Sequence, residues 1–184
     1  MTMVRISLLE PQWINGELPD PQDHCAHGCI DMRIDDITLV SKDDGEWTVS
    51  AAALFLLRTI VSNHTLEDSV AQDNFLIPHC GHGVWPNDEG KYRVIIIGCN
   101  EGIDMEITHV GDSVQIRNGK TQRTVSLRQW AAAILGFVEQ VEEFYRKSGP
   151  KDPIDDDHDR QGWSYFWEEW ASLKLQAESV SNDA

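Results

Sequence analysis

The sequence predicts an α+β domain with a mostly antiparallel sheet, and three observations lead there. Residues 103–125 hold three short β-prone segments joined by two-residue turns at Gly111-Asp112 and Asn118-Gly119. Residues 51–61 are apolar on almost every side, as expected of a helix buried in the core rather than lying on it. Two C-terminal stretches keep helical spacing, the first opened by the capping box Ser126-Leu127-Arg128-Gln129. At 184 residues, with 41% hydrophobic and 25% charged residues, the chain reads as a single domain over 1–184. Such a length buries a sizeable core without staples.

Taken in order, residues 1–23 form an irregular N-terminal arm, since 10–23 carry Pro11, Pro19 and Pro21. Ile30, Met32 and Ile34 alternate with charged residues, and 37–40 follows a tight Asp35-Asp36 connection, so a hairpin is expected. Ser50 is placed as the cap of the buried helix. Residues 75–77 make a short strand running into Pro78. The β-branched run 94–97, ended by Gly98, reads as a strand covered on both faces. In the meander, Met105, Ile107 and His109 share a face opposite Val114 and Ile116, and His109 reads as a hydrogen-bonded core histidine. Arg123 falls on that apolar face, which requires either a bulge or an exposed edge strand. The helix after Ser126 carries Leu127, Trp130, Ile134, Phe137, Val138, Val141 and Phe144, and Gly149-Pro150 stops it. An acidic loop follows over 150–160. The last helix carries Trp163, Phe166, Trp167, Trp170 and Leu173 on one face; Trp163 and Trp167 are expected to pack, and Trp170 to be partly exposed.

Charge narrows the function classes. Asp and Glu number 31 against 15 Lys and Arg, a formal charge of −16. That field repels phosphate backbones, which argues against nucleic acid, and steers in a basic partner. The N-terminus has neither the apolar core nor the cleavage site of a signal peptide, and no run reaches the ~20 apolar residues of a membrane span. The expected setting is cytoplasmic, with the four cysteines reduced.

Two clusters, Asp23-His24-Cys25-Ala26-His27-Gly28-Cys29 and Pro78-His79-Cys80-Gly81-His82-Gly83, hold the residue types that bind metal. Zinc takes a tetrahedron of thiolate and imidazole ligands. Cys25, His27 or Cys29 with His79, Cys80 or His82 would supply four, and the chosen set is Cys25, His27, Cys80 and His82. The spacing is not that of a standard finger, and the bland alternative is that Cys25 and Cys80 are small buried hydrophobes. Neither Cys80 nor Cys99 sits at a helix start beside a fixed base, as a cysteine nucleophile would. Gly119-Lys120-Thr121 resembles a phosphate-loop tail, but Val114 stands where a glycine is required. Asp155-Asp156-Asp157-His158-Asp159 is not a calcium loop, with Arg160 at the glycine position and Phe166 at the bidentate one.

Several segments resemble a family of uncharacterised bacterial proteins of about this length. They are Cys25-Ala26-His27-Gly28, the stretch from Trp47-Thr48-Val49 to Leu57-Arg58, Gly98-Cys99-Asn100-Glu101-Gly102-Ile103-Asp104, Phe144-Tyr145, and Gly162-Trp163-Ser164-Tyr165-Phe166-Trp167-Glu168-Glu169-Trp170. The resemblance implies an intact bacterial domain and transfers no catalytic residue. The residues favour a binding protein over an enzyme: an acidic, immunity-type inhibitor of a basic toxin, meeting its partner through Asp155, Asp156, Asp157, Asp159 and Trp170. The alternative is a zinc protein built on the two Cys/His clusters.

Overall fold

The computed structural model describes residues 2–16, 20–71 and 75–182, so Pro19 of the expected arm lies outside the described residues. The fold is α+β, and every strand pair in it is antiparallel. Its first sheet contradicts the irregular arm. Val4–Gln12 (β1) pairs with His27–Ile34 (β2), from Val4 opposite Ile34 to Leu9 opposite Cys29. β1 is an edge strand, and its register slips between Leu9 and Gln12, where Pro11 loses no ladder bond. Ile37–Val40 (β3) completes the expected hairpin across Asp35, which holds φ 51° and accepts from the Met3 N–H at 2.8 Å. Trp47–Thr48 (β4) pairs with the other end of β2. Beyond β1, Trp13 is wholly buried; its indole N–H donates to Ser148 Oγ at 3.0 Å and the Lys151 ammonium lies over its ring. Val4–Gln12 of the arm is therefore a strand and Trp13 a plug, while residues 14–16 and 20–23 form no helix or strand.

Val49–Arg58 (α1) is buried at every position, as its composition requires. It begins ahead of the expected cap: Thr48 is the N-cap residue and Ser50 lies inside the helix. The Thr48 hydroxyl donates to the His79 carbonyl at 3.1 Å instead of closing the helix end. Ile77–Pro78 (β5) pairs with Gly102–Ile103 (β8), and Gly83–Pro86 (β6) with Val94–Ile97 (β7). β7 is not covered on both faces. Val94 and Ile96 are buried, but Ile97 is 39% exposed, because this two-stranded ribbon packs on one side only.

Glu106–Val110 (β9), Ser113–Asn118 (β10) and Thr121–Ser126 (β11) form the expected meander in unbroken register. Asn118 pairs with Thr121, so the second turn centres on Gly119 and Lys120, one residue later than expected. Gly111 and Gly119 take φ +58° and +57°, the conformation these tight turns demand. Arg123 lies opposite Ile116 with no bulge, on the exposed edge strand.

Leu127–Lys147 (α2) starts at the capping box, with Ser126 Oγ accepting from Gln129 N–H, and packs against β1, α1 and the last helix, Asp157–Asn182 (α3). No helix among the described residues is long and apolar enough to cross a membrane. α3 crosses β6 at backbone contact, since a Cβ on Gly162 would overlap the Val84 carbonyl. The aromatic stripe packs inward. Phe166 lies 5.0 Å from the rings of both Trp163 and Trp167, and Tyr145 meets Trp167 at 5.0 Å. Trp170 is not a partly exposed anchor: it is 2% exposed, and its indole N–H donates to Glu142 Oε1 at 2.9 Å. One helical turn from Phe166 and two from Trp163, it follows them into the seam with α2.

Arg58 closes α1 and joins it to α3. Its Nε and Nη2 donate to Glu169 at 2.7 and 3.0 Å, Nη1 to Val70 O at 2.8 Å, and Nη2 also to Val94 O at 3.0 Å. The guanidinium stacks 4.2 Å from the Tyr92 ring centroid. Arg58→Met strands the Glu169 carboxylate in the core and should cost about 3–5 kcal/mol in denaturant unfolding. Arg58→Met/Glu169→Leu should recover most of that loss. Trp170→Ala should cost about 3–5 kcal/mol as well, lowering Tm by at least ~6 °C in a thermal melt.

Candidate functional site

The strap over residues 22–25, the loop over 152–155 and the start of α3 line a cleft of about 620 Å³, joined by His82. Four carboxylates line it: Asp23, Asp152, Asp155 and Asp159, beside His24, Cys25 and Trp163. The strap is tied down by hydrogen bonds. Asp23 accepts from Ile14 N–H at 2.7 Å and Cys25 N–H at 2.8 Å. Tyr145 Oη donates to His24 O at 2.7 Å and accepts from Ala26 N–H at 3.3 Å. Asp152 N–H donates to Pro21 O at 2.8 Å, tying the acidic loop to the strap.

The acidic stretch over 150–160 is not all loop, because α3 begins at Asp157. Asp156 accepts from the N–H groups of His158 and Asp159 at 2.9 and 3.0 Å, an N-cap, and Asp157 and Asp159 lie in the first turn. Carboxylates there oppose the positive end of the helix dipole. Asp155, Asp156 and Asp157 are exposed and Asp159 half-buried. Of the expected partner-facing residues, the four aspartates stand together and Trp170 does not join them. The exposed aromatic beside them is Trp85, 44% exposed on β6, its ring 5.9 Å from that of His158. The alternation of β6 around buried Val84 was the available signal.

The four expected zinc ligands do not form one group. Cys25 Sγ lies 3.7 Å from Gly81 O, to which the thiol donates; burial, then the Asp23 charge, push that thiol up to about 12. His27 opens β2 with Nε2 3.9 Å from Asp23 Oδ2, and the exposed His82 lines the cleft. Cys80 is bonded to Cys99, with Cα atoms 5.5 Å apart, so the expectation of reduced cysteines fails for this pair; Cys25 and Cys29 are free. The cause is the β6–β7 ribbon. Gly83 pairs with Ile97, and the two chains run on past that pair to bring residues 80 and 99 side by side. Among the described residues, the close trio of ligand-type side chains is His79, Cys80 and Cys99.

His109 is the expected hydrogen-bonded histidine, Nε2 meeting Thr59 O at 2.9 Å. A second imidazole passed unread in the sequence: His64 Nε2 lies 2.7 Å from Asp104 Oδ1, with Ser69 Oγ 3.4 Å from Nδ1. This resembles a hydrolytic triad but is wired as a clamp. Val70 N–H donates to Nδ1 at 3.2 Å, so the lone pair a base would use is engaged and the ring proton sits on Nε2, toward Asp104. Burial alone would raise the Asp104 carboxyl, but hydrogen bonds from His64, Leu76 N–H and Met105 N–H carry it below the usual carboxylate range.

Compared with protein-family models, the curated proteins and the solved structures, the chain matches none.

Burial lowers the pKa of both His24 and His27 below the usual 6.5, outweighing the pull of Asp23 on each. Between those folded values and 6.5 the unfolded chain binds more protons, so stability rises with pH through that window and falls as pH drops below about 6.5. Melting His24→Gln/His27→Gln beside the parent from about pH 7.5 to 5 should show a flatter Tm profile in the variant.

Proposed function

We propose that the protein is an acidic binding protein of immunity type, which neutralises a basic partner such as a toxin domain by covering its working surface. The observation that carries this reading is the cleft in which Asp23, Asp152, Asp155 and Asp159 converge against Trp163. A lysine or arginine from a partner meets four carboxylates there, Asp159 in α3's first turn and Asp155 just before it. The overall charge of −16 adds long-range steering of a basic surface, a contribution that fades as salt rises. Trp85 supplies what the carboxylates lack, an exposed aromatic able to desolvate against a partner; such residues carry much of an interface's binding energy. A toxin acting on nucleic acid needs a basic groove, and an acidic surface competes with the substrate for it.

The test compares the tagged parent with Asp152→Asn/Asp155→Asn/Asp159→Asn in capture from native-host lysate at low salt. The parent should retain a basic protein that salt releases, and the triple variant should lose it. With that partner purified, Trp85→Ala should weaken binding by about tenfold or more, roughly 1.4 kcal/mol, while Tm stays within about 2 °C. Equal retention by the triple variant, with the same salt dependence, would overturn the reading.

A further inference from the structure

His79, Cys80 and Cys99 form a cluster that the proposed binding role does not use. His79 Nδ1 lies 3.4 Å from Cys99 Sγ and 3.7 Å from Cys80 Sγ. In tetrahedral zinc, bonds of about 2.3 Å to sulfur and 2.0–2.1 Å to nitrogen place neighbouring N and S ligands about 3.5–3.6 Å apart. The imidazole therefore already stands at ligand separation from both sulfurs. Only the sulfur–sulfur edge is closed, by the covalent bond.

The surroundings fit a thiolate pair as well as a disulfide. Cys99 N–H donates to Cys80 Sγ at 3.2 Å, a bond that strengthens when the sulfur carries charge. His79 is fixed at both ends of its own backbone, its N–H donating to Glu101 O at 2.9 Å and its carbonyl accepting from Thr48 Oγ1. Gly98 lets the two segments meet, because a Cβ there would overlap the Cys80 carbonyl. His79 is exposed and both cysteines are half-buried, so a reductant and a metal ion can reach them.

We propose that reduction of the Cys80–Cys99 bond opens a zinc site made of the two sulfurs and His79 Nδ1. A dithiol gives two electrons and two protons to the bond, yielding two cysteine thiols while the dithiol closes to its own disulfide. Zn²⁺ then displaces both thiol protons and takes two thiolates and neutral imidazole, leaving the fourth position to solvent. The oxidised chain has no thiolate to offer there. Metal and disulfide are alternative occupants of one site, and redox state selects between them. This is not the set Cys25, His27, Cys80 and His82, with which it shares only Cys80.

The experiment uses the full chain without a histidine tag, stripped of metal, in two forms: oxidised, and reduced with a dithiol then desalted under inert gas. Thiol counts in denaturant identify them, two for the oxidised chain and four for the reduced. Zinc is measured by elemental analysis and by competition with a chromophoric chelator, and Co²⁺ serves as an optical stand-in. Reduced protein should bind about one equivalent, with thiolate-to-cobalt charge-transfer absorption, and oxidised protein below about a tenth of one. His79→Gln, at an exposed position, should weaken zinc by at least about tenfold, Cys80→Ser/Cys99→Ser should abolish the charge-transfer band, and Cys25→Ser should change neither. Equal zinc uptake by the oxidised chain, absence of uptake by the reduced chain, or unchanged affinity in folded His79→Gln would each overturn the proposal. So would a Cys25→Ser chain that loses zinc.

Discussion

Arg58 sets the relation between the layers of this protein. α1 is otherwise a smooth apolar rod, and apolar contacts alone allow such a helix to slide or rotate at small cost. Its last residue removes that freedom. Four of the five guanidinium donors are engaged, two on α3 at Glu169, one on the Val70 carbonyl and one on β7 at Val94. Glu169 in turn accepts from Arg93 N–H at 2.9 Å, so the ribbon is tied from both sides of the pair. Few placements of α1, β7 and α3 satisfy every one of these groups, and an unsatisfied charge at this depth costs several kcal/mol. The position of α3 follows, and with it Trp163 and Asp159 in the cleft wall.

Local signals in the sequence were enough for the elements whose determinants are local. The meander depends on turn chemistry at Gly111 and Gly119, and α2 on a cap and a repeating apolar face, all contained in a few adjacent residues. The misreadings share the opposite cause. β1 is a strand because β2 lies beside it, whereas Pro11 within it and the prolines that follow argue for an arm. Thr48 ends as an N-cap residue whose hydroxyl serves His79, a partner 31 residues away. β7 is as β-branched as a covered strand, yet Ile97 on its outer face is 39% exposed.

The same division holds at the site. Asp155, Asp159, Cys25 and His82, which the sequence divides between an acidic face and a metal site, line one cleft. What composition cannot give is pairing. Cys80 meets Cys99 rather than Cys25 because both lie just beyond the paired ends of β6 and β7. Asp156 spends its carboxylate on the α3 backbone, so the acidic run is partly helix chemistry. Trp170 is buried where a partly exposed anchor is expected, since exposure depends on what covers a face and α2 covers this one. The Arg58 hub and the His64–Asp104 clamp each join residues at least 40 positions apart, counting Glu169 as the partner of Arg58.

Residues 79–82 connect the acidic cleft to the cysteine pair. His79 and Cys80 belong to the sulfur cluster, His82 to the cleft, and Gly81 lies between with its carbonyl held by the Cys25 thiol. Gly81 is buried against α1, where a Cβ would stand 3.0 Å from that of Ala51 and 3.1 Å from Ile96 Cγ2. A larger residue at either 51 or 81 would push this segment outward and separate the ligand-bearing backbone from both sites. The apolar, small-residue start of α1 is therefore more than core filling. It sets how deep the 79–82 backbone can lie, and that depth places His82 at the cleft and Cys80 against Cys99.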